Sequence, residues 1–281
     1  MKVFIPSYKR PQEIKTHLAL GDAFDWKVIV HDPLQMHYYK KTIPENKIIC
    51  SYAKYGISSQ RNFIKNNLVG SKEWFIMMDD NINYFEAVIE EEYNNENLKI
   101  KYPDAWIKND AKFNNRVYRQ KVNPDRLIKI FDELKNKCIN IGVGFAGFSA
   151  NKNYFFSREN KWKYFSLICS KACIVFNDEL RWDEGIKTMD DYDYSCQAML
   201  KYGKTVVNNY VWPNAGHNQK GGLGKIEERG KYKINDCKVL MKKYPNLFRY
   251  KNRKNSLPEA EIVMRGHTKQ FIEKWRKENG L

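Results

Sequence analysis

A chain of 281 residues with 42% hydrophobic and 14% aromatic side chains has enough apolar material to bury a real core, which excludes disorder throughout. No apolar run approaches the roughly 20 residues a bilayer requires, so a membrane span is excluded as well. Lys and Arg number 49 against 33 Asp and Glu, a formal charge of +16 that should draw polyanions, although solvated surface lysines give the same composition.

The opening Met1-Lys2-Val3-Phe4-Ile5-Pro6 lacks the long apolar stretch and small-residue cleavage site of a secretory signal, so a cytoplasmic protein is expected. The same residues read as a strand ending in the polar turn Pro6 to Pro11, after which Gln12 to Leu20 has helical spacing. Trp26 to Val30 is a second strand, Leu34 to Lys41 a helix and Lys47 to Ser51 a third strand. Gly56 to Asn62 opens a helix that reaches Leu68, and Trp74 to Met78 is a near-continuous apolar strand of the buried central kind. This alternation predicts an α/β fold with a mostly parallel sheet flanked by helices.

From about 86 to 121 the periodicity fades into charged, Asn-rich sequence, which reads as an insertion or mobile loop. Asp125 to Lys135 returns as a helix, and the glycines of Asn140 to Gly147 predict a close approach to a ligand or another backbone. Lys171 to Phe176 is a buried strand, Asp191 to Tyr202 a helix, Thr205 to Val211 a strand and Gly216 to Gly224 a glycine-rich loop. From Lys225 onward the chain reads as helical and basic, so the expected division is 1 to 224 and 225 to 281.

Cys50, Cys138, Cys169, Cys173, Cys196 and Cys237 show no paired C-x-x-C spacing, and the five histidines form no H-E-x-x-H motif. Structural zinc and a disulfide framework are therefore not expected, and any metal would rest mainly on carboxylates. Asp79, Asp80 and Asn81 end the buried strand at the edge where open α/β sheets bind ligands. Oxygen donors so placed suit Mg²⁺ or Mn²⁺, yet Asp and Asn equally serve a strand-end turn. Asp190, Asp191 and Asp193 precede a helix, where capping would account for one acid but hardly for three. An ionised Asp there could accept a proton from an incoming hydroxyl. His217 and Lys220 lie among glycines of a loop able to close over a pyrophosphate, with the imidazole available to a metal.

The order Phe4-Ile5-Pro6-Ser7-Tyr8-Lys9-Arg10, then Gly56 to Asn62 with its Arg-Asn, then Asp79-Asp80-Asn81, Asp190-Asp191 and His217 resembles the GT-A glycosyltransferases. Within them it is similar to a phage and TET-associated branch implicated in sugar transfer onto hydroxymethylated DNA bases. The resemblance spans most of residues 1 to 224. It implies a Rossmann-like GT-A domain with a nucleotide-sugar donor, a UDP-sugar above all. Pro6, Ser7, Tyr8, Arg10 and Asp32 would surround the base and ribose, Arg61 would lie against base or phosphate, and Lys220 would support the phosphates. Asp79 and Asp80 match the acidic start of the family's D-x-D motif, with Asn81 where the last aspartate often stands. Asp79 is then expected on the donor, and Asp80, Asn81 and His217 on Mn²⁺ or Mg²⁺, although an amide is the weaker ligand. Asp191 falls where an inverting enzyme keeps its base, beside Asp190. Lys251, Arg253 and Lys254 in the basic C-terminal segment could track a DNA backbone. Two other readings stay open: a GT-A transferase with a saccharide or lipid-linked acceptor, and a non-catalytic nucleic-acid-binding protein on this fold.

Overall fold

The computed structural model describes residues 1–89, 106–110, 115–150, 160–216, 226–251 and 261–281. In chain order the first half gives strand β1 (Val3–Pro6), helix α1 (Thr16–Leu20), β2 (Trp26–Val30), α2 (Pro33–Tyr39), β3 (Ile48–Cys50), α3 (Ile57–Phe63), β4 (Trp74–Met78), β5 (Ile82–Val88), β6 (Trp106–Asp110) and β7 (Asn115–Val122). The second half gives α4 (Pro124–Asn140), β8 (Phe145–Phe148), β9 (Trp162–Tyr164), β10 (Ala172–Phe176), α5 (Asp190–Tyr202), β11 (Val206–Asn208), β12 (Val211–Ala215), α6 (Ile226–Lys243), β13 (Phe248–Tyr250), β14 (Ile262–Met264) and α7 (Thr268–Glu278).

The main sheet has the order β3-β2-β1-β4-β10-β8-β11-β9. Four of its seven neighbouring pairs are parallel, namely β1 with β2, β1 with β4, β2 with β3 and β8 with β11. The pairs β4 with β10, β10 with β8 and β11 with β9 are antiparallel. The expected mostly parallel α/β sheet is thus present. Period-two alternation sends Val3, Ile5, Ile76 and Met78 to one face, into a core with Leu127, Phe131 and Leu134 of α4. Phe4, Phe75 and Met77 go to the other, against Ile64, Tyr194 and Ala198. With both faces covered, apolar runs replace the alternating pattern of a half-exposed sheet. Each fully buried large apolar side chain contributes about 1.5–3 kcal/mol.

Several sequence expectations change. The stretch 86–121, expected to be an insertion or mobile loop, holds the end of β5 with β6 and β7 in a four-stranded sheet ordered β12-β5-β7-β6. Its pattern was obscured because polar side chains occupy buried positions: Arg119 lies 3.8 Å from Glu86 and over the Trp212 ring at 4.5 Å. The expected strand from Thr205 to Val211 is two strands. The Asn208 side chain accepts from the Tyr210 N–H at 2.9 Å in a tight turn, and the chain passes from the main sheet into the smaller one. The C-terminal segment is not helical throughout, since β13 and β14 pair antiparallel between α6 and α7. The close approach to another backbone expected of the glycines near β8 is present, since a Cβ on Gly147 would meet the Ala172 carbonyl at 3.1 Å and Ile168 Cγ2 at 2.6 Å. Among the described residues no helix is long and apolar enough to cross a membrane.

Beneath α5 a charged network ties the layers together. Lys65, 1% exposed, donates to Asp178 Oδ1 at 2.9 Å, to the Leu180 carbonyl at 2.7 Å and to Tyr194 Oη at 2.9 Å. Burial alone would raise the Asp178 carboxyl, but hydrogen bonds from Lys201, Tyr202 and Lys65 outweigh it and hold the group down at about 2. Because this folded-state value lies below that of an unfolded aspartate, the stabilisation is present above about pH 4 and is lost as pH falls through about 2. Wild type should therefore lose about 2 kcal/mol relative to Asp178→Asn between pH 6 and pH 2. Urea unfolding of both proteins at the two pH values measures this, and an unchanged gap would contradict it.

Candidate active site

Where β4 ends, its main-chain groups need partners from outside the sheet. Thr16 supplies two: its Oγ1 donates to the Asp79 carbonyl at 2.5 Å and accepts from the Ile82 N–H at 2.9 Å. The N–H groups of Lys15 and Thr16 donate to the Asp80 carbonyl at 2.9 and 3.3 Å. The start of α1 thus pins the acidic turn, and this use of residues before Thr16 shortens the helix expected from Gln12.

The two carboxylates then meet different environments. Asp80 is 5% exposed and receives Ser7 Oγ on Oδ2 at 2.5 Å and Arg10 Nη1 on Oδ1 at 3.2 Å. With the Ser7 proton so used, Tyr39 donates to Ser7 Oγ at 2.6 Å and accepts the Arg10 N–H at 3.0 Å. Burial pushes the Tyr39 phenol up to about 12, keeping it a donor at neutral pH. The Asp79 side chain retains 38% of its exposure and lines a cleft of about 730 Å³ over the strand ends, a volume typical of small-molecule sites. Enclosure by that cleft pushes its carboxyl up to about 6 against the pull of Arg61. Asn81 exchanges hydrogen bonds with Gly216, its Nδ2 donating at 2.7 Å to the carbonyl and its own carbonyl accepting at 3.3 Å. The buried Asn81 Oδ1 has no hydrogen-bond partner among the described residues.

Pro6, Ser7, Tyr8 and Arg10 all line the cleft, whereas Asp32 does not. Asp32 caps α2 by accepting the Gln35 N–H at 2.8 Å, and it accepts Tyr55 Oη at 3.2 Å. It therefore orients Tyr55, a cleft residue that sequence reasoning passed over together with His31. Ring centroids of Tyr8, His31 and Tyr55 lie 5.2 Å (Tyr8 to His31), 5.5 Å (Tyr8 to Tyr55) and 5.1 Å (His31 to Tyr55) apart. The available signal was aromatic side chains at the ends of β1 and β2 and just before Gly56, whose φ of 134° opens α3.

α3 buries a polar face, Ser58 to Asn62, and that face organises the second acidic cluster. Asn62 brackets Trp182 through the carbonyl and N–H, both at 2.9 Å. Arg61 is 3% exposed; its Nη1 contacts Asp190 Oδ2 and its Nη2 lies 3.6 Å from Asp79 Oδ1. Its terminal nitrogens face acids from both clusters, and Arg61 also lines the cleft in which the resemblance implies a base or phosphate beside it.

The three acids of α5 take separate roles. Asp190 pairs with Arg61, while Asp193 accepts Tyr244 Oη at 2.9 Å and lies 2.7 Å from Lys243 Nζ. Asp191 lines the cleft, as does Asp190. Asp191 accepts the Tyr192 N–H at 3.0 Å, and the capping position, Met189, offers no side-chain bond. Burial, reinforced by the neighbouring Asp190, pushes the Asp191 carboxyl up to about 7 against Arg61.

His217, Lys220, Arg253 and Lys254 lie outside the described residues. Lys251 is described and sits 3.7 Å from Glu261. Arg229 and Tyr232 of α6, which the sequence reading did not single out, also line the cleft. Among the described residues no three His, Cys, Asp or Glu side chains form a metal-holding group.

A family model described as TET-Associated Glycosyltransferase matches residues 1–222, which include both acidic clusters. No curated protein matches the chain.

Proposed function

We propose a donor, a metal and an acceptor for this chain, which belongs to the TET-associated glycosyltransferase family and is therefore an enzyme that transfers sugar. The donor is a UDP-sugar, the metal is Mn²⁺ or Mg²⁺, and the acceptor is a hydroxymethylated base in DNA. One observation carries the reading: Asp79 and Asp191 line a single cleft from opposite elements, with Arg61 bonded between their clusters.

The donor set suits a hard divalent ion that takes most of its shell from phosphate and water. Asp79 offers a partly exposed carboxylate and Asn81 an unpartnered Oδ1. His217 follows directly on Gly216, which is hydrogen-bonded to Asn81. These residues would hold the ion, and when bound it neutralises charge on the departing diphosphate. Asp80, whose oxygens already serve Ser7 and Arg10, fixes the loop that carries Tyr8. The rings of Tyr8, His31 and Tyr55 offer apolar surface to the base.

Asp191 takes the proton from the acceptor hydroxyl as that oxygen bonds to the anomeric carbon and the bond from that carbon to the diphosphate breaks. The Asp190 carboxyl is taken up by the Arg61 guanidinium, so the acceptor's proton goes to Asp191. The net charge of +16 and the cleft residues Lys9, Lys171, Lys187 and Arg229 suit a polyanionic acceptor.

The test is transfer of labelled sugar from a panel of UDP-sugars, with Mn²⁺, to duplex DNA containing hydroxymethylcytosine. Transfer is expected, with duplex affinity falling roughly tenfold or more between about 50 and 200 mM salt. Charge reversal at Lys251 and Arg253 should flatten that dependence. Transfer to saccharide alone, with no duplex binding at low salt, would move the acceptor to the saccharide or lipid-linked class. Duplex binding without donor turnover would favour a non-catalytic binding protein.

A further inference from the structure

The family match ends at residue 222, yet the turn leading into Asp190 and Asp191 is held by a residue beyond it. Asp236 of α6 is fully buried. Its Oδ2 accepts the Thr188 N–H and the Thr188 hydroxyl, each at 2.6 Å, and the Lys187 N–H at 3.2 Å; Oδ1 lies 3.3 Å from that same N–H. Lys187 and Thr188 themselves line the cleft. Next along the chain, Met189 Sδ accepts Cys237 Sγ at 3.5 Å, and one turn later Asp193 meets Tyr244 and Lys243. The entry to α5 and its first turn are therefore gripped from 187 to 193 by α6 and the residue that follows it. Arg229, Tyr232 and Asp236 fall at i, i+3 and i+7 on it, which is one face, and the first two of these line the cleft.

We propose that Asp236 is a positioning residue for sugar transfer. It sets the Lys187–Thr188 turn and, through it, the direction in which Asp191 meets the acceptor. A carboxylate suits this place because all three groups facing it are donors, and an amide would turn an N–H₂ toward one of them. The proposal rests on the reading of Asp191 as the base, so the two are tested side by side.

The variants are Asp236→Asn, Thr188→Val and Asp191→Asn, each assayed for transfer kinetics, for binding of UDP with Mn²⁺ by calorimetry, and for thermal unfolding. Asp236→Asn should lower kcat by roughly 10- to 100-fold, as small misplacements of reacting groups do, while the acceptor KM and the UDP affinity stay within about twofold. Thr188→Val, which removes only the hydroxyl donor, should give a smaller loss of kcat of about threefold or more, and adding it to Asp236→Asn should cost little further. Wild-type kcat in a folded Asp236→Asn protein, with transfer lost in Asp191→Asn, overturns the proposal alone. Retained transfer in Asp191→Asn overturns the base assignment instead. If Asp236→Asn does not fold, Thr188→Val decides, and unchanged kcat in it overturns the proposal.

Discussion

Asp191→Asn should lower transfer by roughly 10²-fold or more while leaving fold and donor binding intact. The substitution preserves shape and the bond from the Tyr192 N–H, and removes only the capacity to take up a proton. If Asp191 served the helix alone, Asn would replace it almost without loss, since the two residues are near equals as caps. The raised carboxyl, at about 7, adds a second signature. A base must be deprotonated to act, so kcat/KM should climb as pH rises through about 7 and level off above it. That limb should vanish from the residual activity of the Asn variant. Rates near wild type in a folded variant, or an acidic limb that persists in it, would refute the assignment.

Asp79→Asn should weaken Mn²⁺-dependent donor binding by at least about 100-fold, given that even groups behind a metal ligand are worth 10- to 100-fold. Without metal, the variant should bind UDP like wild type. Asp80→Ala should behave differently, because Asp80 anchors Ser7 and Arg10 and so shapes the donor loop. Its loss should weaken binding with and without Mn²⁺ alike. A metal ligand must be ionised, so wild-type affinity for UDP with Mn²⁺ should rise as pH passes about 6, where Asp79 gives up its proton. Calorimetry across pH 5 to 8 reads both effects. Equal Mn²⁺ dependence in wild type and Asp79→Asn would remove Asp79 from the metal site.

The central strands were legible because burial on both faces forces continuous apolar runs, as in Trp74 to Met78, and short polar turns between them mark their ends. The acidic clusters were legible for the opposite reason, since Asp79, Asp80, Asp190 and Asp191 follow or precede apolar segments where capping alone would not require them. What could not be read was pairing across distance. Nothing near Arg61 in the chain indicates Asp190, 129 positions away, and the distinction between a locked Asp80 and a cleft-facing Asp79 depends on Ser7, Arg10 and Tyr39 arriving from other elements. The smaller sheet escaped notice because Glu86 and Arg119 neutralise each other inside it, so its interior does not look apolar in the sequence. His31 and Tyr55 became site residues only through the third ring, Tyr8.

The apolar cluster that joins Ile186, Met189, Cys196 and Met199 to Cys237, Leu240, Phe248 and Ile272 has a consequence for synthesis. The outer surface of α5 cannot be covered until the chain has grown about 50 residues past position 222, to Ile272. At about 5–20 residues per second, a ribosome leaves that surface incompletely covered for roughly 3–10 s. Until α6 is complete at Lys243, the nascent chain carries both acidic clusters but lacks the helix that grips the second. The second acidic cluster is therefore made before the segments that grip and cover it, from α6 to α7.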